Sequence, residues 1–419
     1  MQNLLHESIL HQAELDADHL ALVMGETSLT YGELAAAVEN AAAALARLGL
    51  EPGQRVAVYQ EKRLETVIGL YGALHAGGVM VPINPLLKAA QVAHIVRDSG
   101  ASVFITTGRR YDLVAEQLST CPDLKVVIRV DPATSNNHTA PGPALLDWTF
   151  LAERAESFDA PRRIDSDLVS ILYTSGSTGR PKGVVLSHRN MVSGAQSVAS
   201  YLENHRGDRI LSALPLSFDA GFSQLSTGFH AGACIYLLNY LVPNDCIKAV
   251  ERHRITGLTA VPPLWIPLSR LAWTEGAVDS IRYIANTGGA MPRAVVDALR
   301  VALPRTQVFL MYGLTEAFRS TYLPPNQLDK RPDSIGKAIP NAEVMVVRPD
   351  GTTEFFHAGP LAFPNGCAID PAEEYLYIVQ SIGPNIARLP LKGGSTTAAP
   401  EVCIELPDMV PDGIAFDDR

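Results

Sequence analysis

The order of apolar and polar positions sets the first expectations. From Leu29 a polar start (Thr30, Glu33) leads into an Ala/Leu-rich amphipathic stretch that runs to Leu50, where Glu51-Pro52-Gly53 breaks it, and this predicts a helix. Arg55 to Tyr59 then reads as a short strand. The same exchange continues, with strands expected at Val79 to Pro82 after Gly77-Gly78, Ser102 to Thr106, Val126 to Val130 and Leu168 to Tyr173. Further strands are expected at Arg209 to Ala213, Gly257 to Val261, Tyr283 to Asn286 and Val308 to Met311, each between helix-like segments. This rhythm predicts an α/β fold. Residues 131 to 145 collect Pro, Ser, Asn and Thr and read as a surface loop.

After Asp350-Gly351 the pattern changes to short strands with turns: FFHAG, PNGCAID, EEYLYIVQS, ARLPL and PDGIAFDD. FPNGCAID and VPDGIAFD repeat weakly at a spacing of 47 residues, a period found in β-propeller blades. Charge marks the same boundary. Of 34 basic and 44 acidic residues in the 419, only Arg388, Lys392 and Arg419 fall after position 350, against ten acidic ones, so a nearly neutral body carries an acidic tail. The net charge of −10 and the lack of a basic stripe exclude a nucleic-acid footprint. Apolar usage of 47% with 19% charged residues excludes disorder as the main state. Cys121, Cys234, Cys246, Cys367 and Cys403 form no C-x-x-C pair, which points to a reducing, cytoplasmic setting, and no apolar run is long enough to span a bilayer.

The chemistry concentrates in YTSGSTGRPKGVVLSH, residues 173 to 188. Thr174, Ser175, Ser177 and Thr178 alternate with Gly176, Gly179 and Gly183 around Lys182. Glycines let backbone N–H groups turn inward, hydroxyls add donors, and one ammonium neutralises charge, which is what a triphosphate requires. The preceding strand and a helix expected after Ser187 set this loop at a strand's carboxyl end, where α/β folds hold ligands. It is not a Walker A loop, because Arg180-Pro181 separates Gly179 from Lys182. A second cluster, Tyr312-Gly313-Leu314-Thr315-Glu316, puts an aromatic face, a tight turn, a hydroxyl and a carboxylate within five residues of a strand end.

TSGSTGRPKG resembles the phosphate loop of the adenylate-forming superfamily: acyl-CoA synthetases, amino-acid adenylation domains and luciferases. LTYGEL (29 to 34), GALHAGGVMVPINP (72 to 85), NTGGAMP (286 to 292), YGLTE (312 to 316) and SIGKAIPNAEVMVV (334 to 347) follow in the family's order. The resemblance covers residues 1 to 348, and its later part is similar to ligases associated with exosortase A systems. It implies a multi-subdomain N-terminal ligase core. By the same resemblance Thr174, Ser175, Gly176, Ser177, Thr178, Gly179 and Lys182 hold the ATP β- and γ-phosphates, and Gly288, Gly289 and Ala290 line the adenine site. Tyr312 lies against the adenine, Gly313 is a further nucleotide-binding position, Thr315 contacts the α-phosphate, and Glu316 binds Mg²⁺, a hard cation suited to oxygen ligands. Lys182, Thr315 and Glu316 are the expected catalytic residues. The implied reaction joins a carboxylic acid to AMP and then to the thiol of coenzyme A or of a carrier protein's phosphopantetheine arm.

Ser217-Phe218-Asp219 falls where adenylation domains place an Asp that binds a substrate ammonium group, so Asp219 is either that residue or a helix-start aspartate. Trp265, in Val261-Pro262-Pro263-Leu264-Trp265, is either a wall of the acid pocket or core. Past residue 348 the family's ribose-binding Asp, hinge and Lys-bearing domain are not recognisable. Residues 349 to 419 instead resemble an incomplete gluconolactonase or strictosidine-synthase-type propeller, with Asn365 and Asp412 as its metal ligands. Three readings follow: an acid–thiol ligase with activity impaired by the missing domain, for an amino acid or another acid; a nucleotide-binding remnant; and a metal-dependent lactonase.

Overall fold

The computed structural model describes residues 3–131, 142–154, 158–174, 181–340 and 342, and four strands with Glu374 between residues 364 and 405. In chain order the strands before residue 340 are β1 (Leu20–Met24), β2 (Thr27–Thr30), β3 (Arg55–Tyr59), β4 (Val79–Pro82), β5 (Ala101–Thr106), β6 (Val126–Arg129), β7 (Ala144–Asp147) and β8 (Leu168–Thr174). They continue as β9 (Lys182–Ser187), β10 (Arg209–Ser212), β11 (Cys234–Leu237), β12 (Gly257–Ala260), β13 (Tyr283–Asn286), β14 (Gln307–Tyr312), β15 (Thr321–Leu323) and β16 (Lys337–Ala338).

They form two sheets. One has the order β16-β15-β14-β13-β12-β10-β11-β1-β2, parallel from β14 to β1 with antiparallel strands at both ends. The other has the order β7-β6-β5-β3-β4-β8-β9 and is parallel except for β9. The expected α/β rhythm is therefore present. Parallel strands need crossovers, and the helices supply them while covering the faces.

Local chemistry accounts for the elements. The helix Tyr31–Arg47 starts on a capping box, with Thr30 Oγ1 accepting from Glu33 N–H and Glu33 accepting from Thr30 N–H. It ends short of the expected Leu50 because Gly49 adopts φ +81°, the left-handed geometry that closes a helix. Part of the expected 131 to 145 loop is strand, since β7 pairs in parallel with β6; residues 132–141 lie outside the described set.

One continuous core joins the sheets. Leu22, Ile210 and Ile235 from one and Val56, Val58 and Val103 from the other pack with Tyr31, Leu34 and Val38 and with Tyr71 and Phe222. Buried hydrogen bonds tie the same seam: Tyr31 Oη donates to Ala233 O at 2.8 Å, and Lys62 Nζ donates to Ala213 O at 2.8 Å. Burial of the Lys62 ammonium lowers its pKa to about 8. No helix among the described residues is long and apolar enough to cross a membrane.

Beyond residue 360 the described strands are β17 (Pro364–Ile369), β18 (Tyr375–Gln380), β19 (Asn385–Pro390) and β20 (Glu401–Glu405), an antiparallel meander in that order. Arg388 pairs with Glu401 at 2.8 Å and stacks over Tyr375 at 4.3 Å. Asn365, read as a turn residue, lies inside β17 where the register shifts between Pro364 and Gly366. Pro364 lacks an N–H and Gly366 a side chain, and such pairs make bulges rather than turns. Asp412 lies outside the described residues.

Candidate active site

The topology gathers the expected site residues from distant parts of the chain. In the first sheet β10, β12, β13 and β14 run parallel, so the segments after Ser212, Ala260, Asn286 and Tyr312 leave from one edge. These segments carry Asp219, Trp265, Gly288 to Ala290, and Gly313 to Arg319. The carboxyl edge of such a sheet is where α/β proteins place ligands.

The glycine segment fits its neighbour closely. Gly288 has φ +70°, and a Cβ there would stand 3.2 Å from Val261, while one on Gly289 would stand 3.2 Å from Pro262. Asn286 Nδ2 donates to Gly289 O at 2.8 Å, but its buried Oδ1 has no partner. Gly288 is exposed, and Gly289 and Ala290 are half-buried. The backbone at Gly288 is exposed, and Asn286 Oδ1 beneath it is a buried acceptor without a partner.

The segment after β14 turns sharply. Tyr312, Gly313 and Thr315 are half-buried and Glu316 is exposed. A Cβ on Gly313 would lie 2.9 Å from Arg319 Cα and 3.0 Å from Phe318 O, so only glycine fits. Phe318 is fully buried with φ +61°, a conformation a bulky side chain adopts only when its surroundings hold it there. Part of the hold comes from the helix His188–Tyr201, whose Gly194 abuts the Phe318 ring.

The phosphate-loop residues sit on the other sheet. β8 and β9 form an antiparallel hairpin in which Thr174 pairs with Lys182 and Tyr173 with Gly183. The sequence placed Lys182 within a loop; it is the first residue of an unanticipated strand, and it is exposed. Ser175, Gly176, Ser177, Thr178 and Gly179 lie outside the described residues. Ser187 caps the following helix as expected, accepting from Asn190 N–H. That helix carries Gly194, which links the hairpin mechanically to the Tyr312–Arg319 segment.

Asp219 opens the helix Asp219–Ala231, and its Oδ2 accepts a hydrogen bond from Arg319 Nη1 at 2.7 Å. The cation beside this carboxylate is thus the chain's own guanidinium, a residue the sequence reading missed. Its one signal was a charge inside the otherwise uncharged run Ala317 to Pro325. Trp265 is a core residue and not a pocket wall: it is fully buried, and its indole N–H donates to Ala285 O at 3.3 Å. Buried Gln224 bridges the sheet by donating to Leu211 O and Thr259 O, both at 3.0 Å.

Among the described residues no three His, Cys, Asp or Glu side chains converge as a metal site. His188, given no role above, is structural; its Nδ1 accepts from Leu5 N–H at 3.0 Å. Burial, then the charge of Arg163, lowers its pKa to about 4.

A fold of mostly parallel sheets whose carboxyl edge carries these segments belongs to the α/β class in which strand ends hold ligands. The family model described as AMP-binding enzyme matches residues 9–359, past the expected boundary at 348, and the chain belongs to that family. It is 30% identical to 4-coumarate–CoA ligase 2 of Oryza sativa subsp. japonica, over 83% of this chain and 64% of that protein. It is also 30% identical to the L-proline–[L-prolyl-carrier protein] ligase of Streptomyces coelicolor, over 81% of this chain and 66% of that protein. The chain spans less than two thirds of the length of these relatives. The N-terminal domain of FACL13 from Mycobacterium tuberculosis has the same fold: TM-score 0.74 at 22% identity, covering 97% of this chain and 100% of that one.

Proposed function

We propose that this chain activates a carboxylic acid with Mg-ATP, forming the acyl-adenylate and pyrophosphate, and delivers the acyl group to the thiol of coenzyme A or of a carrier protein. The observation that carries this reading is the convergence of the Gly288–Ala290 and Tyr312–Glu316 segments at adjacent parallel strand ends. The residues present suit ATP: exposed glycine backbone at Gly288, and an exposed ammonium and carboxylate at Lys182 and Glu316. Lys182 would neutralise phosphate charge, Thr315 would donate to the α-phosphate, and Glu316 would share Mg²⁺ with phosphate oxygens. The work of catalysis is then alignment of the acid with the α-phosphorus and stabilisation of charge there. The relatives named above act on coenzyme A and on a carrier protein, which supports both acceptors.

Two finer points belong to the same reading. Kinship with exosortase-associated ligases rests on the run from Tyr283 to Glu343 alone. For residues 349 to 419 the finer reading is the partial propeller, supported by the antiparallel order β17-β18-β19-β20 and the 47-residue repeat.

The test is exchange of labelled pyrophosphate into ATP across a panel of aliphatic, aromatic and amino acids. Mg²⁺-dependent exchange with at least one acid, reduced a hundredfold or more in Lys182→Ala, is the expected result. No exchange with any acid, together with no thermal shift by Mg-ATP, would overturn the reading.

A further inference from the structure

One helix, Ala89–Ser99, touches both strands of the β8–β9 hairpin at its loop end. Val92, Ala93, Ile95 and Val96 seat this helix in the core of the second sheet, where Ile171 and Tyr173 of β8 also pack. His94 and Asp98 stand one turn apart, as neighbours on the side that meets the hairpin. Asp98 Oδ2 accepts from Tyr173 Oη at 2.6 Å, and His94 Nε2 donates to Pro181 O at 3.3 Å. A carboxylate in the last turn opposes the helix dipole, so helix stability does not account for Asp98.

These contacts fall beside Lys182. Tyr173 precedes Thr174, Pro181 precedes Lys182, and Thr174 pairs with Lys182 at the loop end of the hairpin. The Tyr173 ring crosses the hairpin over Gly183, where a Cβ would stand 3.1 Å from Tyr173 Cζ, 3.3 Å from its Oη and 2.6 Å from Ile171 Cγ2. Glycine there gives the ring its path to the helix. Burial, then the Asp98 carboxylate, raises the Tyr173 pKa well above the ordinary phenol value, so the hydroxyl stays a donor. Asp98 is exposed, and an exposed bond adds little to global stability. Its local effect is larger, because an untied strand end opens readily.

We infer that Asp98, acting through Tyr173, and His94, acting through Pro181, are positioning residues that fix the hairpin end and so set Lys182 in place for the outer phosphates of ATP. This rests on the ligase reading above for what Lys182 meets. A pre-set ammonium binds phosphate without first being ordered, whereas one on a loosened strand end loses affinity to that ordering. The helix is held by the core and the hairpin end by the helix, so the two tethers carry the order of the interior out to an exposed side chain.

The test is calorimetric titration of the whole chain with Mg-ATP and, separately, with AMP, which lacks the outer phosphates. Tyr173→Phe keeps the ring over Gly183 and loses only the hydroxyl, Asp98→Ala loses the acceptor, and His94→Ala loses the second tether. Each should weaken Mg-ATP about fivefold to twentyfold and leave AMP within about twofold. Asp98→Asn, which keeps an acceptor oxygen, should restore most of the Mg-ATP affinity. In Lys182→Ala, adding Asp98→Ala should weaken Mg-ATP no further, because the helix acts through that ammonium. Equal losses for both nucleotides, as general damage to the fold would give, would overturn the inference. So would unchanged Mg-ATP binding in the three tether variants, or a loss that adds in full to that of Lys182→Ala. AMP binding in the same samples shows that each variant is folded, and Tyr173→Phe, which removes one oxygen, keeps the test open if another variant is not. Absence of Mg-ATP binding in the parent chain would overturn the ligase reading and this inference with it, whereas binding without discrimination between the nucleotides would overturn this inference alone.

Discussion

Two glycines in helix interiors offer a direct test of how the Tyr312–Arg319 segment is held. A methyl group on Gly194 would lie 2.3 Å from Phe318 Cδ1, 2.9 Å from Cε1 and 3.1 Å from Cγ. One on Gly228 would lie 2.1 Å from Ile235 Cδ1, with the next atom, Ile235 Cγ1, at 3.2 Å. Both Gly→Ala changes gain about 0.5–1 kcal/mol from helix propensity. They differ in what must move. The δ-methyl of Ile235 swings away by one side-chain rotation, whereas the Phe318 ring is rigid and sits on a backbone already at φ +61°. Overpacking of that kind costs about 1–3 kcal/mol. Gly194→Ala is therefore expected to lose about 1–2 kcal/mol net, and Gly228→Ala to stay within about 0.5 kcal/mol of the parent. Urea denaturation of the three proteins reads the difference, and thermal shift by Mg-ATP should fall in Gly194→Ala alone. A Gly194→Ala protein as stable as Gly228→Ala would refute the reasoning, because it would mean the Phe318 ring yields freely.

Other outcomes follow from the same packing. Asp208, fully buried at its side chain, accepts from Arg282 Nη2 at 2.7 Å, Thr256 Oγ1 at 2.7 Å and Asn204 Nδ2 at 3.0 Å. Asp208→Ala should cost about 3–5 kcal/mol by stranding Arg282, read as a lower denaturation midpoint; a change below about 1 kcal/mol would mean water replaces the carboxylate. His6, His75 and His188 cluster in the interior, with ring centroids 5.0 Å apart for His6–His75 and 6.1 Å for His6–His188. Burial, then the other two imidazoles, lowers the His6 pKa to about 3, while His188 is near 4 beside Arg163, Asp167, Glu7 and Asp165. Because the folded values lie below the ordinary histidine value, the unfolded chain binds more protons under pH ~6.5. Stability is full above that pH and falls as pH drops toward 4 and then 3. His6→Phe should flatten this dependence in melting curves from pH 7 to 4, and an unchanged slope would count against a neutral cluster.

Much of the fold before residue 340 was readable in the chain. The polar helix start at Thr30 and Glu33 and the apolar strands each act through neighbours within a few residues, so local pattern carries them. The positions of β1, β2, β7, β9, β11, β15, β16 and β20 were not read. Five of these, β2, β9, β15, β16 and β20, are antiparallel strands at or next to a sheet edge, where pairing across the sheet and not the residue pattern decides the strand. Asn365 stands in a strand and not in the expected turn for the same reason, since P-N-G suits a turn until β18 pairs with it.

What the sequence by itself determined is the chemical inventory and its order: which segments can turn tightly, which side chains can meet phosphate, and which stretches must be buried. Only tertiary structure decided which of these face one another. Trp265 looks the same in sequence whether it lines a pocket or fills a core, and burial alone assigns it to the core. Arg319 lies 100 residues from Asp219 and acquires its partner because β10 and β14 end at the same edge of one sheet. A charge can be counted from the chain, but whether it is solvated, paired or left half-satisfied in the interior depends on contacts between distant residues, and those exist only once the sheets have assembled.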